Sequence, residues 1–405
     1  MAINSLRETP VWLVVSLVLL NNFWSFTGLD LKIYQYAHLL VLAYFAYVIV
    51  LGRKTTKIPK SSHSLWMILL MLTPLLSVYS GHILLGRHIS DSLVVYRMHL
   101  GFLLYFVLWY KQVTMKQLVS VFMILGFGYA FLTLAQQITF PFAPFGMRAG
   151  ASGYVSDHGG EVERRLGFYR FEIMGVLCAI VLAVKAFSKE LKFPKGQMII
   201  LYLSLLASGN RRVIGISCLA MGLCWVLKGK SYKKFLYLGL ALICFWLIYT
   251  FRFELFGNLA NWSEDLEEGR GHSYEYYLSV ALSDPMATLM GWGLPHEGDG
   301  SRNIFESYID GKPVVLADIG LVACLFYWGI FYVISLVGLF LSLALNKRLD
   351  GALKSVAFGI LAFLWIYFIS WEMNGTSFIA MFAYACDLCI AEKCQDKLVP
   401  TQKHS

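Results

Sequence analysis

Residues 314–344 read VVLADIGLVACLFYWGIFYVISLVGLFLSLA, and this long apolar run contains one charged residue, Asp318. A hydrophobic stretch of about 18 residues or more with few charges is typical of a membrane-spanning helix. The rest of the 405-residue chain has the same character, with 58% apolar and only 15% charged residues. Soluble domains carry about 25% charged residues. The composition therefore predicts an all-α polytopic membrane protein.

Similar apolar runs recur along the chain, and we predict about twelve spans in a single integral membrane domain over residues 1–405. Their approximate bounds are 10–29, 34–51, 64–81, 92–110, 118–138, 170–187, 197–210, 212–228, 234–250, 314–344, 355–372 and 376–392. The cysteines lie in these runs or in the tail, where disulfides are not expected. Cys386 and Cys389 have C-x-x-C spacing, but no second pair or nearby histidine completes a zinc site.

The basic residues predict the orientation of these spans. With the N-terminus in the cytoplasm, most lysines fall in inner connections, as the positive-inside rule requires, and an even number of spans returns the C-terminus to the same side. The predicted inner arginines are only Arg7, Arg53 and Arg348, and the predicted outer lysines are only Lys32 and Lys312. The outer arginines are Arg87, Arg97, Arg148, Arg164, Arg165, Arg170, Arg211, Arg212, Arg252, Arg270 and Arg302.

This separation of arginine from lysine indicates an anion site on the outer face. Guanidinium offers a planar fork of donors that matches phosphate and carboxylate oxygens and stays charged. Interfacial placement of arginine is the structural alternative. Although the net charge is +9, the basic residues are scattered through short connections, so we predict no nucleic-acid binding.

Two predicted outer connections, 139–169 and 251–313, are much longer than a return to the membrane requires. In the second, residues 273–283 form a predicted short amphipathic helix because Tyr274, Tyr277, Leu278 and Ala281 recur at helical spacing. Arg270 and His272 precede or open this helix, where backbone N–H groups favour an anion. Pro285 predicts a helix stop, and Gly291-Trp292-Gly293 predicts a tight turn.

The order of these features resembles the bacterial O-antigen polymerases (Wzy), within the wider group of O-antigen polymerases and ligases. The resemblance rests on the arginine, the aromatic-rich helix, the proline, the G-x-G turn, and Asp318 with Gly320 opening a span. Residues 208–212 (SGNRR) and 164–170 (RRLGFYR) resemble two further segments of that family. The resemblance covers about residues 160–345, and it implies an architecture like that of GT-C type glycosyltransferases in the bacterial inner membrane.

The resemblance implies that the chain polymerises oligosaccharide repeat units linked to undecaprenyl pyrophosphate, with no cofactor or metal and with a chain-length regulator as a possible partner. Negative charge would grow on the leaving diphosphate, where preorganised cations stabilise the transition state. The candidate diphosphate ligands are Arg211, Arg212, Arg270, Arg165 and Arg170. The candidate catalytic bases are His272, Glu275 and Asp318, followed by Glu161 and Asp157. The candidate glycan-lining residues are Trp262, Tyr274, Tyr276, Tyr277 and Trp292.

Two alternatives remain open at this point. An O-antigen ligase shares the expected fold and donor but transfers the glycan to the lipid A core. Ligases usually carry a histidine–asparagine pair after the G-x-G turn, whereas here His296 has no following asparagine, which favours a polymerase. A flippase or transporter belongs to another class, and many transporters show internal repeats. We find no convincing repeat between residues 1–200 and 201–405.

Overall fold

The computed structural model describes residues 9–20, 31–52, 57–59, 62–139, 164–165, 168–169, 173–208, 210–228, 271–294, 308–309, 312–313, 319–365 and 373–398. Apart from two small hairpins, this part of the chain folds into helices and their connections. Up to the second long connection the helices are α1 (Val11–Leu20), α2 (Leu31–Gly52), α3 (Ser64–Leu85), α4 (Ile89–Tyr96), the 3-10 helix Arg97–Phe102, α5 (Leu103–Tyr110), α6 (Met115–Thr139), α7 (Val176–Phe187), α8 (Lys195–Ala207) and α9 (Arg211–Lys228).

The remaining elements lie in and after the second long connection. The helices are α10 (residues 271–282), α11 (Pro285–Met290), α12 (Gly320–Leu345), α13 (Gly351–Phe363) and α14 (Met373–Leu398). The hairpin strands are β1 (Arg164–Arg165) paired antiparallel with β2 (Phe168–Tyr169), and β3 (Tyr308–Ile309) paired antiparallel with β4 (Lys312–Pro313). Each hairpin belongs to one of the two long predicted connections.

Six helical stretches are long and apolar enough to cross a membrane, which confirms a multi-pass helical membrane protein. They are Ile33–Gly52, Ser64–Leu85, Ile89–Tyr110, Met115–Thr139, Gly320–Leu345 and Gly375–Lys393. Five shorter apolar helices coincide with predicted spans at the chain start, at 170–187, 197–210 and 212–228, and at 355–372. The predicted span at 234–250 lies outside the described residues.

Two predicted spans begin too early. The span predicted at 170–187 becomes a helix only at Val176 and follows a non-helical entry at 173–175. The span predicted at 314–344 becomes a helix only at Gly320. Hydropathy reports apolar content but not backbone conformation, so apolar residues that lead into a helix are counted with it. Pro285 also differs from expectation, because it opens α11 instead of only ending α10.

Hydrogen bonds and close contacts between helix termini define two opposite ends of the bundle. One group consists of contacts among residues that lie near the start of an odd predicted span or near the end of an even one. It comprises Thr9 with Ser120, Gly52 with Tyr110, His63 with Asp387, Tyr384 with Val113, and Lys185 with Asp350. We call this the Asp387 end. Consecutive described spans therefore run in opposite directions, which is consistent with the predicted topology.

The opposite end is defined by a second group of contacts, and we call it the Trp292 end. It comprises Gln137 with Ala207, Tyr274 with Trp365, Thr376 with Met98, and Arg87 with Trp292. The chain leaves α9 at the Asp387 end and returns in α10 at the Trp292 end. The first long predicted connection follows α6 at the Trp292 end, and the described segment 271–294 of the second also lies at that end.

Helix packing forms one apolar core through the bundle. Helix α6 packs on α7 and α8, α9 packs on α13, and α12 packs on both α3 and α13. Helix α14 packs on the 3-10 helix and on α5, and its stretch from 375 to 390 is almost entirely buried. This arrangement places α14 in the interior and leaves one side of α2 and one side of α3 exposed, as expected for lipid-facing helices.

Candidate functional site

The basic residues of the described part separate by end, as the sequence predicts. The lysines of the Asp387 end with placed side chains are Lys57, Lys111, Lys116, Lys185, Lys189, Lys192, Lys195, Lys347, Lys354 and Lys393. The arginines on helices or connections of the Trp292 end are Arg87, Arg97, Arg211 and Arg212. The exceptions are Arg348 at the Asp387 end and Lys32 at the start of α2, while Arg164, Arg165 and Lys312 lie in the two hairpins. The ion pairs of Lys185 with Asp350 and Glu190, and the contact of His63 with Asp387, lie at the Asp387 end.

The best-defined part of the candidate site is the segment 271–294, which covers the Trp292 end. Helix α10 buries Ser273, Tyr277 and Ala281, which recur every four residues and so face the bundle together. The Tyr277 ring packs against Phe326 of α12 with 5.0 Å between ring centroids. The hydroxyl of Tyr274 donates to the carbonyl of Trp365 after α13. Helix α10 therefore lies across the ends of α12 and α13.

Asp284 fixes the corner between α10 and α11. Its Oδ1 accepts hydrogen bonds from the backbone N–H groups of Met286 at 2.8 Å and Ala287 at 2.9 Å. An aspartate in the N-cap position followed by proline at the first helical position is a strong helix start, because proline needs no hydrogen-bond partner there. The six-residue α11 then leads directly into the glycine turn.

The glycine turn is docked into a break in α12. Gly329 interrupts α12 with φ 76° and ψ 178°, so the carbonyls of Phe326 and Tyr327 lose their helical partners. The backbone N–H groups of Trp292 and Gly293 replace those partners, at 2.8 Å to Phe326 and 2.9 Å to Tyr327. The turn thus supplies the hydrogen bonds that these two carbonyls lack at the break. Lipid could not supply them, because its hydrocarbon chains have no hydrogen-bond donors.

Three glycines allow this close approach. A Cβ on Gly329 would collide with the carbonyl oxygen of Leu289, and one on Gly291 would collide with the carbonyl of Tyr327. A Cβ on Gly293 would lie 2.9 Å from the carbonyl oxygen of Ser77 in α3. All three also have positive φ, which disfavours any side chain. The G-x-G turn thus has a structural role in joining the segment 271–294 to α12 and α3.

Arg87, which the sequence did not single out as a site residue, holds the other side of the turn. Its side chain is 5% exposed, and Nη1 donates to the carbonyl of Trp292 at 3.2 Å. Ser80 of α3 donates to the carbonyl of Gly291. The sequence signal was an arginine beside a glycine in a short connection, which resembles an ordinary interfacial anchor. Only the fold shows that this connection meets a turn more than two hundred residues away.

The predicted bases are placed only in part. His272 and Glu275 are exposed on α10, three residues apart and therefore on neighbouring positions of one helical face. Asp318, Asp157 and Glu161 lie outside the described residues. The structure therefore brings His272 and Glu275 together and leaves their catalytic role as a prediction.

The predicted diphosphate ligands are also placed in part. Arg211 and Arg212 begin α9, and Asn210 caps this helix by accepting from the N–H of Arg212 at 3.0 Å. Arg212 is half-buried, and Arg165 lies in β1. Arg170 and Arg270 lie outside the described residues.

The predicted glycan-lining residues differ in exposure. Tyr277 is fully buried, so both faces of its ring are occupied by packing in this structure. Tyr274, Tyr276 and Trp292 are half-buried. The indole Nε1 of Trp292 donates to the carbonyl of Val280 at 3.2 Å, which ties the turn to α10. Trp262 lies outside the described residues.

The described residues contain no group of three or more metal-ligating side chains. Cys386 and Cys389 are buried in α14, and the Cys389 thiol lies 3.6 Å from Asp350. No known family model matches the chain, and comparison with curated proteins finds no significant relative. The class shown by the fold is a multi-pass helical membrane protein whose two ends differ in the chemistry of their basic residues.

Proposed function

We propose that this protein is a glycosyltransferase that polymerises lipid-linked oligosaccharide repeat units at the outer face of a bacterial inner membrane. The growing glycan would pass from undecaprenyl pyrophosphate to a hydroxyl of a new lipid-linked repeat unit. The observation that carries the proposal is the concentration of arginine at the Trp292 end, together with lysine at the other end. A purely topological signal would not distinguish the two residue types.

The proposed orientation places the Trp292 end outside the cytoplasm. The lysine-rich Asp387 end then faces the cytoplasm, in accordance with the positive-inside rule. The chain passes from the Asp387 end at α9 to the Trp292 end at α10, and a ninth span at 234–250 would make this crossing. Twelve spans would leave both termini in the cytoplasm.

The proposed chemistry depends on the leaving diphosphate. As the anomeric carbon–oxygen bond breaks, the bonding electron pair remains with the diphosphate oxygen, and the acceptor hydroxyl forms the new glycosidic bond. Guanidinium groups at headgroup depth stabilise this developing charge more than the ground state. Arg211 and Arg212 at the start of α9 support this role, and Arg165, Arg170 and Arg270 would join them.

The acceptor hydroxyl must lose its proton during the transfer, and a nearby base would accept it. His272 and Glu275 are suited to this role because both are exposed on the outer side of α10, with no burial to prevent their contact with a substrate. Asp318 remains the third candidate. The half-buried rings of Tyr274, Tyr276 and Trp292 would contribute apolar faces for sugars.

Deletion of the gene tests the function and separates it from the alternatives. Surface polysaccharide that retains single repeat units but lacks long chains supports the polymerase. Loss of every repeat from the lipid A core would instead indicate a ligase, and accumulation of lipid-linked units on the cytoplasmic side would indicate a flippase. Either of these two results would contradict the proposal.

Arginine substitutions test the site in the deletion strain. We expect Arg211→Ala and Arg270→Ala to fail to restore long chains, because each removes a cation from the proposed diphosphate site. Arg348→Ala is the matched control, since Arg348 follows α12 at the Asp387 end. Polysaccharide gels and immunoblots of membrane fractions measure chain length and protein abundance. Full-length chains from both site variants would contradict the assignment of these arginines.

A further inference from the structure

Helix α7 begins inside the bundle instead of at its surface. It contains 12 residues and is therefore about 18 Å long, against a hydrocarbon core of about 30 Å. Its N-cap, Gly175, has φ 97°, and a Cβ there would collide with the carbonyl oxygen of Leu125 in the middle of α6. Non-helical backbone at membrane depth is tolerated where it is enclosed by protein or lines a cavity.

A cavity lies at this helix start. Its volume is about 60 Å³, several times the space that one water requires. The described lining comes from α1, α6, α14 and residues 173–178. Most of the wall is apolar, including Leu17, Leu125 and Met381. The first backbone N–H groups of a helix have no partner within the helix, and Gly175 supplies no side-chain cap.

A second polar group lines the same cavity. Ser377 of α14 is 1% exposed, and its hydroxyl has no hydrogen-bond partner. Several other buried serines in this bundle, such as Ser204 and Ser355, donate to carbonyls of their own helices. A buried hydroxyl without a partner is costly in a membrane-spanning bundle. The Ser377 hydroxyl and the first backbone N–H groups of α7 are hydrogen-bond donors. An occupant of the cavity that accepts hydrogen bonds would satisfy them.

The surroundings of the cavity favour a negative charge on that occupant. Arg97 opens the 3-10 helix, is half-buried, and has an Nε without a hydrogen-bond partner. Gly101 of the same 3-10 helix packs against Ser377. Among the described residues, no carboxylate forms an ion pair with Arg97, and this half-buried cation belongs to the helix that packs against Ser377.

We propose that the cavity at the start of α7 binds a phosphate-type oxyanion. The anion would accept hydrogen bonds from the Ser377 hydroxyl and from the first N–H groups of α7, where the helix dipole also favours negative charge. The apolar walls suit a phosphate that carries a polyprenyl chain, although free phosphate has the same recognition chemistry. The site is separate from the outer arginines, and its test does not depend on glycan polymerisation.

Equilibrium dialysis of the purified full chain in a maltoside detergent, which contains no phosphate, tests this site. The probes are labelled inorganic phosphate, farnesyl phosphate and uncharged farnesol. Saturable binding of both phosphates identifies an ion site, and saturable binding of farnesyl phosphate alone identifies a lipid headgroup; either result supports the proposal. Absence of saturable binding by both inorganic phosphate and farnesyl phosphate, or equal binding of farnesol and farnesyl phosphate, would overturn it.

Variants locate the binding. Ser377→Ala removes a hydrogen bond to a charged group, so we expect about tenfold weaker binding. Leu17→Phe fills the cavity and should abolish binding, with a melting curve to confirm that the variant is folded. Ser204→Ala, an equally buried serine with a helical partner, should bind like the wild type. Unchanged affinity in Ser377→Ala would show that the oxyanion does not occupy this cavity.

Discussion

Three donors converge on Asp387, a carboxylate buried in α14. The backbone N–H of His63 donates to Oδ2 at 2.9 Å, the Tyr105 hydroxyl donates to the same oxygen at 2.7 Å, and Nδ1 of His63 lies 2.6 Å from Oδ1. A carboxylate in a membrane-spanning helix persists only when its oxygens are satisfied. The network therefore fastens the start of α3 and the middle of α5 to α14.

Removal of one donor tests this network. We expect Tyr105→Phe to lower stability by about 1.5–3 kcal/mol, because it removes a hydrogen bond to a charged group and leaves part of the carboxylate unsatisfied. Thermal unfolding in detergent measures the change. Tyr36→Phe is the control, since Tyr36 is 70% exposed. Equal melting temperatures for Tyr105→Phe and the wild type would show that the bond contributes nothing.

A residue-scale prediction also concerns the candidate base on α10. Glu275→Gln should lose polymer synthesis while protein abundance stays unchanged, because the side chain is exposed and its amide isostere cannot accept a proton. Polysaccharide gels and membrane immunoblots measure the two quantities. Glu190→Gln, at the Asp387 end, is the control. Normal chain length in Glu275→Gln would remove Glu275 from the list of bases.

At the scale of residues, the sequence predicted which residues form α10 but not which of their side chains are buried. The helical recurrence of Tyr274, Tyr277, Leu278 and Ala281 predicted α10, and the structure confirms that helix. The pattern could not show which of these side chains face the bundle, because the partner helix α12 begins almost forty residues later. Tyr277 and Ala281 are buried, whereas Leu278 is exposed.

At the scale of elements, the break at Gly329 determines where the segment 271–294 docks. Gly329→Ala would place a methyl group on the carbonyl of Leu289 and force a non-glycine residue into φ 76°. We expect a loss of at least about 1–3 kcal/mol from backbone strain, with further loss from displacement of the turn. Limited proteolysis within 271–294 and thermal unfolding report the two effects.

Gly222→Ala is the matched control for this substitution. Gly222 lies inside α9 with open space around its Cα, so alanine meets no neighbour. Alanine should stabilise the helix there by about 0.5–1 kcal/mol, because it restricts the unfolded chain. If Gly329→Ala behaved like Gly222→Ala, the docking of the turn into α12 would be wrong.

The elements that sequence reasoning placed well are the long helices α2, α3, α6 and α14. Their hydropathy is continuous, so length alone separates them from soluble helices. The late start of α7 was missed because Ile173 and Met174 are apolar side chains on non-helical backbone. The docking of the glycine turn was missed for another reason: its partner is a set of backbone carbonyls exposed by a distant glycine, and such groups leave no side-chain pattern.

At the scale of the whole molecule, the separation of arginine and lysine by end predicts an experimental orientation. In intact cells, a membrane-impermeant thiol reagent should label Ser283→Cys at the Trp292 end. It should label Lys189→Cys at the Asp387 end only after lysis, because that end faces the cytoplasm in the proposed topology. The unsubstituted protein provides the background from its native thiols. The reverse labelling pattern would place the arginines in the cytoplasm and contradict the proposed function.

Sequence reasoning predicted the alternation of described spans between the two ends because hydropathy and connection lengths carry that information directly. The interior cavity forms where α1, α6, α7 and α14 pack together. These helices are far apart along the chain. No local pattern joins Leu17, Gly175 and Ser377. Their meeting depends on tertiary packing and became visible only in the structure.

The docking of Trp292 and Gly293 onto Phe326 and Tyr327 also constrains biosynthesis. The ribosome completes residues 291–293 before it has made the carbonyls that receive them. The turn must therefore wait, undocked, until α12 has entered the bilayer and bent at Gly329. Docking of the segment 271–294 is thus a late, post-insertional step that couples the C-terminal third of the chain to α3 near its beginning.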